Sequence, residues 1–259
     1  MTDMRGQRIL VVGASSGIGR AVGVRAALGG ASVAFAARRN DLLDEAVAAA
    51  GGSAFSITCD VRDDSQCEAA VAQTAERFGG VDAVVYASGH SPLVRLSDAG
   101  GDLWRQLFET NVVGAAIVAQ ASLAHLEASG GRLLLLGSSS VGRPYPGLVP
   151  YTTTKAALHE LARGWRNEHP RLRVTTFVVG PTITDFASGW DAALAGEMFA
   201  RWSVEGYPAG AAMDAGDMAE QVLKVLASGA RIDEVVVMPD PEQVTDRARS
   251  AGGEGHGVE

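Results

Sequence analysis

The chain has 259 residues, of which 47% are apolar and 20% charged; this excludes disordered and fibrous classes and suffices for one α/β unit to bury a full core. A formal charge of −8 with scattered basic residues argues against nucleic acid or an anionic membrane as partner. The two cysteines, Cys59 and Cys67, have neither metal-ligand spacing nor a secreted disulfide pattern, so both are expected to be inert and reduced, and no metal site is expected.

In chain order, the apolar run RILVV before Gly13 is too short for a secretory leader or a membrane span, and a cytoplasmic location is expected. It reads as a strand and is followed by a helical period in GIGRAVGVRAALGG. The alternation repeats as SVAFAA with DLLDEAVAAAG, then AFSIT with SQCEAAVAQTAERFGG. Next come DAVVYAS, a short helix over 103–108, a long helix over 110–128, RLLLLG, a helix over 151–168, VTTFVV and DEVVVMP. Seven near-continuous apolar strands joined by helix-length crossovers predict a doubly wound α/β fold: a seven-stranded parallel sheet with helices on both faces. Residues just after each strand then become the candidates for ligand binding.

Residues 186–216 break the alternation and are rich in aromatic and methionine side chains: Phe186, Trp190, Met198, Phe199, Trp202, Tyr207 and Met213. One or two lid helices are expected there, over a single catalytic domain spanning 1–239. From 240 to 259 the sequence is polar and without apolar periodicity, which predicts a flexible tail.

After the first strand, Gly13-Ala-Ser15-Ser16-Gly17-Ile18-Gly19 opens a helix. Glycines let the backbone approach a pyrophosphate, whose charge meets the helix N-terminus. At the end of the second strand stand Ala37, Arg38 and Arg39. An acidic residue here would hold the ribose hydroxyls of NAD, whereas arginine accommodates the extra phosphate of NADP, so NADP(H) is expected over NAD(H), with Arg38 foremost; an ordinary solvated pair is the alternative.

Tyr151 and Lys155 stand four residues apart on one helical face. A cation about 5 Å from a phenol favours phenolate by roughly 3 kcal/mol at an effective dielectric of about 20, on the order of two pKa units. Such a shift would bring Tyr151 from about 10 towards working pH as a general acid or base.

These motifs resemble the short-chain dehydrogenase/reductase family, a Rossmann-type fold. GASSGIG is similar to the family's TGxxxGIG apart from Val12, and GRLLLLGSSSVGRPYPGLVPYTTTKAAL is similar to its segment joining the active-site serine to Tyr-x-x-x-Lys. The resemblance implies a carbonyl/alcohol oxidoreductase, a ketoreductase in one direction, with catalytic Asn111, Ser138, Tyr151 and Lys155. Ser139 and Ser140 are neighbouring alternatives to Ser138. Asn111, in FETNVVGAA, would hold a water relaying protons to Lys155, or else satisfy a local carbonyl. Tyr151 and Lys155 would also touch the cofactor. Asp60-Val61 resembles the pair that meets adenine, with helix capping as the other role for Asp60.

Gly89, Gly180, Pro181, Ile183 and Thr184 match further cofactor positions. Two departures stand out. Tyr86-Ala87-Ser88-Gly89 replaces Asn-Asn-Ala-Gly, putting Tyr86 beside the cofactor or in the core, and Val179-Gly180-Pro181 replaces the Pro-Gly turn. The lid favours a bulky, apolar carbonyl or alcohol as substrate. The family also implies a homotetramer or homodimer through helices 110–128 and 151–168. Other readings are enoyl reduction, epimerisation or dehydration on the same fold, and a non-catalytic NADP-binding regulator.

Overall fold

The computed structural model describes residues 1–207 and 212–240. Short runs of Val, Ile, Leu and Ala form the strands and amphipathic segments the crossovers. β1 (Arg8–Val12), α1 (Gly17–Leu28), β2 (Ser32–Ala37), α2 (Asn40–Ala50), β3 (Ala54–Thr58), α3 (Asp64–Phe78) and β4 (Ala83–Tyr86) make the first half. The second half holds α4 (Gly101–Phe108), α5 (Gly114–Ser129), β5 (Arg132–Ser138), α6 (Val149–Glu168) and β6 (Arg173–Val179). It continues through β7 (Thr182–Ile183), α7 (Ala192–Val204), β8 (Met213–Asp214), α8 (Ala215–Ala227) and β9 (Glu234–Val237).

The expected seven-stranded parallel sheet is present, in the order β3-β2-β1-β4-β5-β6-β9. Its period of two divides the core. Ile9 and Val11 of β1 face Val22, Leu43 and Val222 of α1, α2 and α8, whereas Leu10 and Val12 face Val71, Val118 and Leu158 of α3, α5 and α6. The strand order in the sheet reverses between β1 and β4, which pair in parallel from Ile9↔Ala83 to Val12↔Tyr86, and a crevice opens outside the strands' carboxyl ends there.

Two features depart from the expected elements. α4 and α5 form one continuous run through a π turn, Glu109–Val113, that carries Asn111. The run from Gly101 to Ser129 is long and apolar enough by length and composition to cross a membrane, while Ala115, Val118, Ala119 and Leu126 within it pack into the core. The lid is narrower than 186–216. β7 and β8 pair in parallel, Thr182↔Met213 and Ile183↔Asp214, and tie together the two ends of the excursion, so Ala215 and Gly216 begin the crossover helix α8. Residues 208–211 of the lid, and the expected tail beyond Asp240, lie outside the described residues.

Candidate active site

At the end of β1 the chain turns into α1 through Gly13, with φ at +87°, and Gly17, at +55°. A Cβ on Gly13 would lie 2.5 Å from the Ser88 nitrogen, so only glycine lets the β1 and β4 ends approach here. No side chain caps α1 at Ser16. Its first-turn N–H groups and positive dipole end therefore face a cleft of about 780 Å³. Ser15, Ser16, Ile18 and Gly19 line this cleft beside Gly13 and Gly17. A polyanionic dinucleotide fits this cradle of free donors and missing side chains.

Both arginines after β2 line the same cleft. Arg39 is held in place: its Nη2 donates to Ser15 Oγ at 2.9 Å and to Ser16 Oγ at 2.7 Å. Arg38 is exposed and acts on Asp60 and His90 through charge. Asp60 and Val61 also line the cleft. Arg62 donates to both Asp60 carboxylate oxygens, Nε to Oδ1 at 3.0 Å and Nη2 to Oδ2 at 2.6 Å, and holds the carboxyl below its usual range. The helix-capping alternative for Asp60 does not hold, because Asp63 caps α3 by accepting from the Gln66 N–H.

Gly89, Gly180, Pro181 and Thr184 also line the cleft. Ile183 lies on β7 but its side chain is 67% exposed, outside the residues that line the cleft. Tyr86 resolves to the core: its phenol donates to the Thr110 carbonyl at 2.6 Å.

Ser138 at the end of β5, and Tyr151 and Lys155 on α6, are buried and border the cleft together. Lys155 Nζ donates to the Leu136 carbonyl at 2.7 Å and lies 5.8 Å from the centre of the Tyr151 ring. The expected downward shift of the tyrosine is not what the geometry gives. Burial pushes the Tyr151 phenol up to about 12, the nearby Ser138 hydroxyl offsetting only part of this, and burial brings Lys155 down to about 8. Desolvation of the buried phenol, not the cation one turn along, sets the direction of the shift.

Asn111 is fully buried and acts as a clamp. Its Oδ1 accepts from the His90 N–H at 2.8 Å, while Nδ2 donates to the His90 carbonyl at 3.0 Å and to Thr154 Oγ1 at 2.8 Å. It joins the loop after β4 to α6. A Cβ on Gly89 would lie 3.7 Å from both Asn111 Oδ1 and Lys155 Nζ, so the amide and the ammonium both adjoin that glycine.

Two residues around the site, Thr152 and His159, were not singled out from sequence. Thr152 donates to Ser140 Oγ, which is bonded to Ser138 Oγ, and His159 Nε2 accepts from the Ser138 N–H at 3.4 Å. The signal for His159 was its position, one helical turn beyond Lys155 on the same face.

Met198 and Trp202 are buried with Leu93 and Leu148 in a small core of their own, Trp202 also lining the cleft, and Met213 packs on the main core. Phe186, Trp190 and Phe199 line the cleft. The Phe186 ring meets the Tyr151 ring edge to face at 5.2 Å. Trp190 Nε1 donates to the Ser91 carbonyl at 2.7 Å, so its polar atom is already bonded and its ring is what remains to contact a substrate.

The family model described as short chain dehydrogenase matches residues 7–194. An uncharacterized oxidoreductase of Methylorubrum extorquens is 28% identical over 235 residues, covering 89% of this chain and 94% of that one. The dehydrogenase/reductase SDR family member 4 of Sus scrofa is 31% identical over 69% of this chain and 66% of its own. Among solved structures, an alcohol dehydrogenase from Thermococcus sibiricus complexed with 5-hydroxy-NADP superposes with a TM-score of 0.77 at 25% identity, over 89% of this chain and 95% of that one. A short-chain dehydrogenase from Streptomyces avermitilis gives 0.77 at 28% identity, over 96% and 94%. The match runs from the start of β1 through the glycine turn and the Tyr151–Lys155 helix into the lid, and with it this chain belongs to the short-chain dehydrogenase/reductase family of oxidoreductases.

Proposed function

We propose that the protein is an NADP(H)-preferring oxidoreductase that interconverts a ketone or aldehyde with the corresponding alcohol. The observation that carries this reading is the convergence of Ser138, Tyr151 and Lys155 on one cleft with the glycine cradle of α1. When bound, NADP(H) supplies or accepts the hydride. Tyr151 holds the proton that the substrate oxygen gains or loses, and Ser138 donates a hydrogen bond to that oxygen as charge develops on it. At neutral pH the buried phenol is protonated, the form that carbonyl reduction needs. Lys155 places a cation beside the cofactor ribose, and Asn111 holds the loop at Gly89 against α6.

Preference for NADP(H) is supported by Ala37, which puts no carboxylate at the ribose, and by two guanidinium groups beside it, one of them fixed on Ser15 and Ser16. Among similar structures, the archaeal alcohol dehydrogenase is described with an NADP derivative and a 3-ketoacyl-(acyl-carrier-protein) reductase with NADH, so the choice rests on the two arginines. The ring faces of Phe186, Trp190 and Phe199 favour a bulky, apolar substrate. We further propose a cytoplasmic homotetramer or homodimer, built through the outer faces of α5 and α6.

The test follows nicotinamide absorbance with a panel of ketones, aldehydes and alcohols against NADPH, NADP, NADH and NAD, for the unmodified chain and for Tyr151→Phe. Turnover of apolar carbonyls with NADPH, lost in the variant without loss of NADPH binding, is expected. Turnover retained by Tyr151→Phe would remove the proposed proton donor.

A further inference from the structure

The hydroxyl of Ser138 is surrounded by an ordered set of donors. Ser138 Oγ lies 2.9 Å from Ser140 Oγ and accepts from the Ser140 N–H at 3.2 Å. Ser140 Oγ in turn accepts from Thr152 Oγ1 at 3.0 Å. All three residues are buried, and Thr152 directly follows Tyr151 on α6.

A serine hydroxyl has one proton to give and two lone pairs to receive with. Ser140 Oγ accepts from the Thr152 O–H, and its own O–H can be given to Ser138. Ser138 Oγ then receives twice, from the Ser140 O–H and the Ser140 N–H, and its acceptor capacity is filled. Only its proton remains to be given, towards the Tyr151 phenol oxygen or towards a ligand in the cleft. The reverse arrangement, with Ser138 giving its proton to Ser140, would leave a substrate oxygen facing lone pairs.

We propose that Thr152 and Ser140 are positioning residues that make Ser138 a donor towards the substrate oxygen. The proposal rests on the reading of Ser138 as the group that meets that oxygen. One helical turn at the start of α6 then sets both protons of the site: it carries the Tyr151 phenol itself and, through Thr152 and Ser140, fixes the direction of the serine proton. No bond is made or broken in the relay. Its contribution is a donor already oriented when charge develops on oxygen, with no reorganisation left to do.

The test uses the full chain with NADPH and a ketone that it reduces, comparing Ser138→Ala, Ser140→Ala, Thr152→Val and Thr152→Ser with the double variant Ser138→Ala/Thr152→Val. Thr152→Val keeps the shape and removes the hydroxyl, whereas Thr152→Ser keeps the hydroxyl. Loss of an oriented donor predicts a fall in kcat of roughly ten- to a hundredfold for Thr152→Val and for Ser140→Ala. KM for ketone and for NADPH should stay within about twofold, with most of kcat restored in Thr152→Ser.

Because Thr152 acts through Ser138, the double variant should be no slower than Ser138→Ala alone. Losses that multiply in the double variant, or an unchanged kcat in Thr152→Val and Ser140→Ala, overturn the relay. If Thr152→Val does not fold, Ser140→Ala alone and paired with Ser138→Ala gives the same comparison. An unchanged kcat in Ser138→Ala would instead overturn the role of the serine itself, a separate result.

Discussion

The Tyr86 phenol donates to the Thr110 carbonyl at 2.6 Å, and Gly114 leaves the space for it: a Cβ there would lie 2.7 Å from the phenol oxygen and 2.5 Å from the Val61 carbonyl. The end of β4 is thereby keyed to the π turn that carries Asn111. Tyr86 is also fully buried, and burial keeps its phenol neutral well above the usual range. Tyr86→Phe should lower stability by roughly 1–2 kcal/mol, the net worth of a buried hydrogen bond. Gly114→Ala should cost more, since backbone must shift to admit the methyl. Urea denaturation of the three chains checks the order, and a Tyr86→Phe chain as stable as the parent would show that the bond is not a strut.

Lys155 gives a second prediction through its charge. Burial lowers its pKa from 10.5 to about 8. Below pH 8 the lysine is charged in folded and unfolded chains alike, and the folded state carries the cost of burying that charge. Between pH 8 and 10.5 the folded protein releases the proton while the unfolded chain keeps it, so this cost, on the order of 3 kcal/mol, is relieved as pH rises.

Lys155→Met, which removes the charge and the bond to Leu136, should therefore be the more stable protein at pH 7, by about 1–2 kcal/mol after the lost hydrogen bond. The advantage should shrink towards pH 10, and activity should be lost throughout. Denaturation at both pH values checks this. A stability difference that does not change with pH would mean that the ammonium is solvated.

Much of this was legible in the order of residues. Strands of β-branched and leucine residues and helices of 3.6 period left little freedom for the sheet, and the glycine turn and the Tyr151–Lys155 spacing each fell at a strand's end or a helix start. What escaped depends on contacts distant in sequence. The π turn looks like ordinary helix until Tyr86 and Gly114 are seen to meet beside it. β7 and β8 are two residues each, too short for any pattern. The direction of the Tyr151 shift depends on how deeply α6 is buried, which spacing along the helix does not encode. All three adjacent serines line the cleft, and only the fold shows that Ser138 is the one whose hydroxyl acts on Tyr151 while Ser140 is bonded to it.

The lid yields a third prediction. Phe186 is 44% exposed yet meets the Tyr151 ring, and its other side meets Trp190 at 5.7 Å. Phe186→Ala should widen the cleft beside the reacting oxygen, with relative kcat/KM shifting towards larger ketones and NADPH affinity kept. Trp202→Ala removes a buried side chain that also holds the Pro146 carbonyl, and should cost about 3–5 kcal/mol of stability. Thermal melts and a ketone panel separate the two. An unchanged substrate ranking in Phe186→Ala would leave the lid as packing only.

The last prediction concerns cofactor choice. NADP differs from NAD by a phosphate carrying nearly two negative charges, and it would enter between the exposed Arg38 and the Arg39 fork held on Ser15 and Ser16. Arg39 is ordered before any ligand arrives, so little side-chain entropy is lost on binding, whereas Arg38 must be recruited. A charge-assisted contact is worth roughly 1.5–3 kcal/mol, about ten- to a hundredfold in affinity. Arg38→Ala and Arg39→Ala should each weaken NADPH by about this factor and leave NADH nearly unchanged. Ala37→Asp combined with Arg38→Ala should go further and reverse the preference, because a carboxylate then accepts from the ribose hydroxyls and repels the phosphate. Fluorescence titration with both reduced cofactors reads the result. Equal affinity for NADH and NADPH in the unmodified chain would show that neither guanidinium meets the phosphate, while Tyr151, Lys155 and Ser138 would keep their places.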